Sequence, residues 1–161
     1  MSPFLQTRAT QLLQRLRQPF ALHPYAYRDH GGAPWAAQAL GVDLRLVVKT
    51  LVFVDDTHKP LLVLMHGDAE VSAKKLAHAL QRKRVSPATV AMAEKCTGYQ
   101  VGGISPLGTR LALPLVAQAS IVALPTVYLN AGRRGLLLSL KPSQLEQVLP
   151  LTWADCRQES S

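Results

Sequence analysis

Acidic residues and cysteines are both scarce in this chain of 161 residues. Ten Asp and Glu stand against eighteen Lys and Arg, which gives a formal net charge of +8. A surface with this charge attracts polyanions, most often nucleic acid, although many small basic proteins bind none. The two cysteines, Cys96 and Cys156, have no CxxC spacing, which argues against a disulfide scaffold and fits a reducing cytoplasm.

Long hydrophobic runs are missing as well. The apolar stretches are interrupted by Lys, Asp or Pro before they reach the length that crosses a bilayer. The first 18 residues also lack the continuous apolar core of a signal peptide. We therefore expect no membrane contact. With 48% hydrophobic residues, the chain is predicted to form one domain over residues 1–161, with residues 158–161 as a frayed tail.

Motifs for the common catalytic chemistries are absent too. The five histidines show no metal-ligand spacing with one another, with cysteine or with carboxylates, so we predict neither a metal nor a cofactor. Ser105 fails as the nucleophile of a serine hydrolase because Pro106 removes an oxyanion N–H. The chain has no dinucleotide fingerprint, and the glycine spacing from 103 to 108 is not followed by the Lys-Ser/Thr of a phosphate loop.

The apolar periodicity predicts an α+β fold with a mixed, mainly antiparallel sheet flanked by helices. Residues 46–54 and 61–66 are predicted to form one hairpin, and residues 127–130 and 136–140 a second. Further predicted strands cover 20–25, 121–124 and 151–153. Predicted helices begin at Ser2-Pro3 and cover 34–40, 72–80, 86–95, 115–119 and 142–148.

Two features remain without an ordinary explanation. The stretch Thr97–Gly108 holds four of the ten glycines, and its Gly-Gly-Ile-Ser-Pro is either a simple turn or a shaped loop that exposes main-chain N–H groups. Lys49 interrupts the strongest strand. Such a lysine is usually just solvated, but it can also fix a phosphate or an oxyanion in a cleft. The pair Arg133-Arg134 is open to the same two interpretations.

Four segments in a characteristic order carry a resemblance over nearly the whole chain: Val48–Leu51, Ser86–Glu94, Thr97–Gly108 and Val127–Leu136. Together they resemble the YbaK/EbsC family of aminoacyl-tRNA deacylases, which is related to the editing insertion domain of bacterial prolyl-tRNA synthetase. Within that family, the Cys-tRNA(Pro) deacylase branch is the most similar.

The resemblance implies hydrolysis, in trans, of the ester that joins a wrong amino acid to tRNA. The implied partners are the 3′ end of tRNA(Pro), not DNA, and prolyl-tRNA synthetase. Lys49 would hold the tRNA end through its phosphate, opposite the main-chain N–H groups of Gly102 and Gly103, which would face the ester carbonyl. The residues implied to line or shape the cleft are Tyr25, Thr50, Ser105, Asn130 and Arg134. In the cysteine branch the substrate's own thiol attacks its carbonyl.

Three departures from the family pattern bear on the amino-acid pocket. Ala33-Pro34-Trp35 stands in place of a Phe-Gly pair, the family's serine falls at Asn130, and an acidic position falls at Leu137. They leave two alternatives open besides cysteine removal. One is a deacylase for another small amino acid such as alanine, and the other is a non-catalytic module that binds the tRNA end or a synthetase.

Overall fold

Five α-helices and eight strands build the fold of residues 6–159, the part of the chain that the computed structural model describes. The helices are α1 (Arg8–Arg15), α2 (Gly32–Leu40), α3 (Ala73–Leu80), α4 (Val90–Thr97) and α5 (Pro142–Val148). The strands are β1 (Ala21–Pro24), β2 (Val48–Asp55), β3 (Pro60–His66), β4 (Val85–Pro87), β5 (Leu115–Gln118), β6 (Val127–Arg133), β7 (Leu136–Leu140) and β8 (Leu151–Ala154). None of these helices has the length and apolar character needed to span a bilayer.

The strands form two sheets. The smaller one is antiparallel, in the order β1-β7-β6, and the larger one follows the order β4-β2-β3-β5-β8. In the larger sheet β5 runs parallel to both β3 and β8, whereas the β2–β3 and β2–β4 pairs are antiparallel. The predicted α+β class and both predicted hairpins are therefore confirmed.

Three apolar clusters hold the layers together. The largest lies between the two sheets and includes Leu64 of β3 and Leu129 of β6. The second packs α3 against the other face of the larger sheet, through Leu76 and Met65. The third packs α2 against the smaller sheet around Leu137. Because successive side chains of a strand point to opposite faces, β2 contributes to the first two clusters in alternation.

The predicted helix at 115–119 is wrong. Residues Leu115–Gln118 form β5, which lies between two parallel neighbours and is buried along its whole length. A strand buried on both faces shows a continuous apolar run, and periodicity alone cannot separate such a run from a buried helix. Pairing with β3 and β8 decides the structure here.

Two other predicted elements also differ from the structure. The predicted strand at 121–124 is largely a 3₁₀ helix, Ala119–Ala123. Ser86 and Pro87 do not begin a helix but belong to β4, where they pair with the end of β2. Helix α4 starts later, because the Thr89 hydroxyl accepts the N–H of Met92 at 3.2 Å and caps it.

The two ends of the chain were predicted to be a capped helix start and a frayed tail. The helix start at Ser2 and Pro3 lies outside the described residues. Helix α1 is instead capped by Thr7, whose hydroxyl accepts the N–H of Thr10 at 3.1 Å. At the other end, Gln158 donates its main-chain N–H to the Glu70 carbonyl at 2.8 Å, and residues 160–161 again lie outside the described part.

Both cysteines are buried and unbridged. Cys96 is 1% exposed and belongs to the cluster between the sheets, and Cys156 is 0% exposed beneath α3. Burial raises the pKa of the Cys96 thiol, and it raises the pKa of Cys156 to about 11, helped by the negative charge of Asp155. Neither sulfur is a nucleophile at neutral pH, because the thiolate is the reactive form.

A buried carboxylate organises the β2–β3 turn. Asp55, whose side chain is only 3% exposed, accepts the main-chain N–H groups of Lys59 at 2.9 Å and Thr57 at 2.8 Å. The Thr57 hydroxyl adds a third bond at 2.7 Å, and Nε of Arg82 lies 3.1 Å from the other oxygen. The bond from Lys59, followed by the Thr57 hydroxyl, lowers the pKa of Asp55 to about 2.

We predict that Asp55 makes the protein acid-labile. A carboxyl with a lowered pKa stabilises the fold above its ordinary pKa near 4, and that stability is lost as the pH falls toward about 2. Asp55→Asn keeps an acceptor oxygen but loses the charge, so its urea midpoint should depend less on pH between about 4 and 2. Asp56→Asn, the same change one residue later, is the control. Equal pH profiles for the two variants would contradict this role of Asp55.

Candidate active site

The glycine-rich stretch is a loop braced from inside. It begins at Gly98, the left-handed residue that ends α4, with φ of +79°. The buried Tyr99 hydroxyl donates to the Leu107 carbonyl at 2.5 Å, and the Ser105 hydroxyl, 0% exposed, accepts the N–H of Leu107 at 3.2 Å. Glu94 of α4 accepts the N–H of Val101 at 2.8 Å. Ser105 therefore holds the loop in shape from within the core.

The two adjacent glycines differ in what their N–H groups can do. The Gly103 N–H donates to the Gln100 carbonyl at 2.9 Å and so is used inside the turn. Its Cα also lies against the main chain of Arg133 and Arg134, where an added Cβ would come within 2.9 Å. The Gly102 N–H makes no hydrogen bond within residues 6–159. Of the pair, Gly102 is the one that can offer its N–H to a ligand.

Tyr27 and Arg134 flank Gly102. A Cβ placed at Gly102 would lie 2.5 Å from the Tyr27 hydroxyl oxygen and 3.2 Å from Nε of Arg134. Arg134 donates from Nε to the Val101 carbonyl at 2.9 Å, and its guanidinium carbon lies 5.0 Å from the centre of the Tyr27 ring. The structure thus brings the predicted residues Gly102 and Arg134 together, and it adds Tyr27.

The tyrosine that was predicted to line the cleft is Tyr25, two residues before Tyr27. Tyr25 donates its main-chain N–H to the Gly135 carbonyl at 2.9 Å and packs against the cluster beneath α2. Burial raises the pKa of Tyr25, and the nearby Tyr27 raises it further. Tyr27 lies outside β1, in a segment without regular secondary structure, so no local periodicity pointed to it.

The Lys49 side chain is held at the start of the β3–α3 connection. Its Nζ donates to the Ala69 carbonyl at 2.6 Å and lies 3.5 Å from a carboxylate oxygen of Glu70. The side chain is 19% exposed, whereas that of Glu70 is 77% exposed. The contacts of Lys49 and those of Gly102 share no residue, so the prediction that they line one cleft stays a prediction.

Thr50 points to the opposite face of β2, into the cluster between the sheets with Val48 and Val52. Its side-chain oxygen is buried and has no hydrogen-bond partner among the described residues. Buried hydroxyls are usually paired, because an unpaired one loses its bonds to water without compensation. Thr50 is therefore a candidate contact for a polar group of a ligand.

The first half of β2 has an open edge. Strand β4 pairs only with the last three residues of β2, and Val47, just before β2, forms a single parallel bridge with Tyr128 of β6. The Val52 carbonyl accepts from Ala88 on this side. The N–H and C=O groups of successive strand residues point alternately to the two sides of the strand. Those of Thr50, two residues before Val52, therefore point to the same edge. Between the bridge and β4, this edge of β2 has no paired strand in the described part of the chain, and β6 lies beside it.

Asn130 lies at the level of Lys49, since each is two residues beyond the Val47–Tyr128 bridge on strands that run parallel there. It is half-buried and directly opposite Leu137 of β7, which is 2% exposed. The Asn130 amide makes no hydrogen bond within the described residues. The structure thus places two of the three departures from the family pattern side by side.

Residues 33–148 match the model of the aminoacyl-tRNA editing domain. The chain belongs to this family. The family resemblance predicted from the sequence is confirmed.

Relatives of this editing domain include free-standing proteins and a part of a synthetase. The chain is 30% identical to the Enterococcus faecalis protein named "Putative Cys-tRNA(Pro)/Cys-tRNA(Cys) deacylase EbsC". The alignment covers 91% of the chain and 88% of that protein. The proline–tRNA ligase of Lactobacillus gasseri is 33% identical over 60% of the chain, which corresponds to 17% of the ligase. A solved structure described as "a putative trans-editing enzyme for prolyl tRNA synthetase" has the same fold, with TM-score 0.86, 24% identity and 99% coverage of both chains.

We predict that Gly102→Ala destabilises the editing domain more than Gly41→Ala does. Both glycines have positive φ, +98° and +68°, where a side chain costs about 1–2 kcal/mol. A Cβ at Gly41 meets nothing within 4 Å, whereas one at Gly102 collides with the Tyr27 hydroxyl. Urea unfolding of both variants measures the difference.

Tyr27→Phe tests the cause of that difference, because it removes the hydroxyl that collides with the new Cβ. In the Gly102→Ala background it should restore part of the lost free energy of unfolding. If the two substitutions are simply additive, the collision is not the cause.

Proposed function

We propose that the editing domain hydrolyses, in trans, the ester that joins cysteine to tRNA(Pro). The observation that carries the proposal is the unbonded Gly102 N–H, held on a braced loop between Tyr27 and Arg134. Such a fixed donor suits an ester oxygen on which negative charge develops. The named activity of the Enterococcus faecalis relative supports cysteine as the amino acid.

The proposed chemistry uses the nucleophile that the substrate carries. The cysteinyl Sγ attacks its own carbonyl carbon, the bond from that carbon to the ribose oxygen breaks, and the thiol proton passes to the ribose oxygen. The products are free tRNA and a cysteine thiolactone, which water then opens to cysteine. Aligned intramolecular attack contributes about 7–11 kcal/mol to lowering a barrier, and one preorganised donor about 3–4 kcal/mol. No side-chain base is required in this scheme.

The open edge of β2 offers a place for the end of the tRNA. The main chain of Thr50 faces the edge, the Lys49 side chain lies on one face of the sheet and Thr50 Oγ1 on the other. In this proposal a substrate lying along the edge meets Lys49 with its phosphate, and the buried Thr50 Oγ1 lies behind the edge as a partner for its ribose or aminoacyl group. Asn130 of β6 borders the same edge, and Tyr25, just after β1, packs into the cluster beneath α2 together with Val47.

Lys49 binds the phosphate by exchanging partners. In the free protein its ammonium group is shared between the Ala69 carbonyl and the carboxylate of Glu70. Since Glu70 is largely exposed, its ion pair with Lys49 contributes little and is easily replaced. A phosphate would then take the place of the Glu70 carboxylate. Prolyl-tRNA synthetase is the proposed source of the mischarged tRNA, because the relatives include its editing segment.

We predict that the editing domain releases cysteine from Cys-tRNA(Pro) and leaves the alanyl and seryl esters intact. Neither alanine nor serine has a thiol, and no other nucleophile is proposed for the site. The measurement is the decay of tRNA(Pro) charged with each labelled amino acid. Release of alanine as fast as cysteine would contradict the thiol mechanism and favour a deacylase for small amino acids. Binding of all three without turnover would favour a non-catalytic module.

We also predict that Lys49→Ala lowers kcat/KM on Cys-tRNA(Pro) about ten- to hundredfold. A hydrogen bond to a charged group contributes about 1.5–3 kcal/mol, and the variant loses the phosphate contact. Lys141→Ala removes an exposed lysine just before α5 and is the matched control, with unchanged kinetics expected. Full activity of Lys49→Ala would remove Lys49 from the proposed site.

A further inference from the structure

Helix α3 and the segments on either side of it contact both ends of β2. The helix follows Ala69 and Glu70, which hold Lys49, and it leads through Arg82 to β4, which pairs with the far end of β2. Lys49 and Asp55 are six residues apart and point to the same face, the one that α3 covers. At the rise of a strand this separation is about 20 Å.

A cationic corner lies at the far end of α3. Asp55 holds Nε of Arg82 at 3.1 Å, and the other guanidinium N–H groups of Arg82 make no hydrogen bond within residues 6–159. Lys59, Lys83 and Arg84 are exposed beside it. Two cavities of about 250 and 220 Å³ open here and share Asp55, Lys59 and Arg82 in their walls. The corner therefore gathers four positive charges around a concave surface.

The outer face of α3 adds one further positive charge, that of Lys74, and the ring N–H donor of His78. Lys74 and His78 are exposed and four residues apart, which places them on one face of the helix. Lys75 does not contribute, because Asp155 at 3.1 Å and Glu159 at 2.7 Å bind its ammonium group. Lys74, His78 and the corner residues form what we call the α3 track: Lys59, Lys74, His78, Arg82, Lys83 and Arg84.

Carboxylates lie near both ends of the track, and Asp68 is exposed in the same β3–α3 connection as Glu70. Asp56 lines the smaller cavity, and Glu70 lies at the Lys49 end. Asp55 is already paired with Arg82. Four cations in the corner against these groups leave a net positive surface, which attracts a polyanion more strongly than an isolated lysine does.

We propose that the α3 track binds phosphates of the tRNA acceptor stem while the 3′ end of the same tRNA lies at Lys49. The proposal rests on the proposed function for the position of that end. Nucleotides advance about 3.4 Å each along one strand, so about 20 Å corresponds to about six nucleotides. That distance passes the unpaired CCA terminus and reaches the paired stem. The double variant of Lys83 and Arg84 should therefore weaken binding to whole tRNA and not to its terminus.

Binding of uncharged tRNA(Pro) transcript to the Lys83→Glu/Arg84→Glu variant tests the track without any turnover. Fluorescence anisotropy should show about a tenfold weaker Kd at low salt and a slope of log K against log salt that is smaller by about 2, since two phosphate contacts are lost. Arg15→Glu/Arg17→Glu makes the same charge change at the exposed end of α1 and is the control. Equal weakening in both variants would show a general charge effect and overturn the proposal.

Steady-state kinetics then separate the track from the site. With Cys-tRNA(Pro), the Lys83→Glu/Arg84→Glu variant should raise KM and keep kcat, whereas with the cysteinyl ester of a CCA trinucleotide both constants should be unchanged. The milder Lys83→Gln/Arg84→Gln variant should fall between it and the unchanged protein. Equal losses on the short substrate, or unchanged affinity for the transcript, would overturn the proposal. The absence of deacylation in every protein would count against the proposed function alone, because the anisotropy result is independent of it.

Discussion

The parallel bridge between Val47 and Tyr128 ties the larger sheet to the smaller one next to the start of β2. Beyond that bridge, β2 is paired on its β4 side only over its last three residues. An edge that is paired at both ends and open between them has fixed geometry, because neither end can move without breaking hydrogen bonds. This differs from an ordinary free edge, which proteins usually cover or charge. The candidate site depends on this interruption of the sheet.

The glycine loop complements the edge because it is braced by several of its own polar groups. Tyr99, Ser105 and Glu94 supply three of the braces, and the Gly103 N–H closes a turn. Several main-chain donors of the loop are left over, among them the Gly102 N–H, which lies between Tyr27 and Arg134. A donor that needs no rearrangement when charge develops on a substrate is more effective than one on a mobile loop. Gly98, Gly102 and Gly108 have positive φ and so give the loop its shape, and the Gly102 N–H is the donor proposed for the substrate.

Much of the fold could be predicted from the sequence, and the failures have a common physical cause. The β2–β3 hairpin was predictable because its pairing is local and its residues are β-branched and apolar. Leu115–Gln118 was mistaken for a helix because its partners, β3 and β8, are distant in sequence. In the same way, Ser86 and Pro87 pair with β2 across the whole of α3. Local patterns do not record such partners.

The residues of the candidate site also differ in whether local sequence patterns could reveal them. The glycine loop stood out because it holds more glycines than an ordinary turn needs. Lys49 stood out because it is a charged residue in an otherwise apolar strand. Tyr27 was missed because its role depends on the spatial approach of Gly102 and Arg134, which come from other parts of the chain. The opposite facing of Lys49 and Thr50 follows from strand alternation, but its meaning required the open edge that only the topology reveals.

The burial of Cys96 and Cys156 has a consequence for the chemistry proposed above. A thiolactone is an acylating agent, and an exposed thiolate on the protein would capture it and leave the enzyme modified after a turnover. Both sulfurs are shielded from solvent, and burial raises the pKa of each. Neither cysteine sulfur of the protein is therefore placed to capture the proposed product.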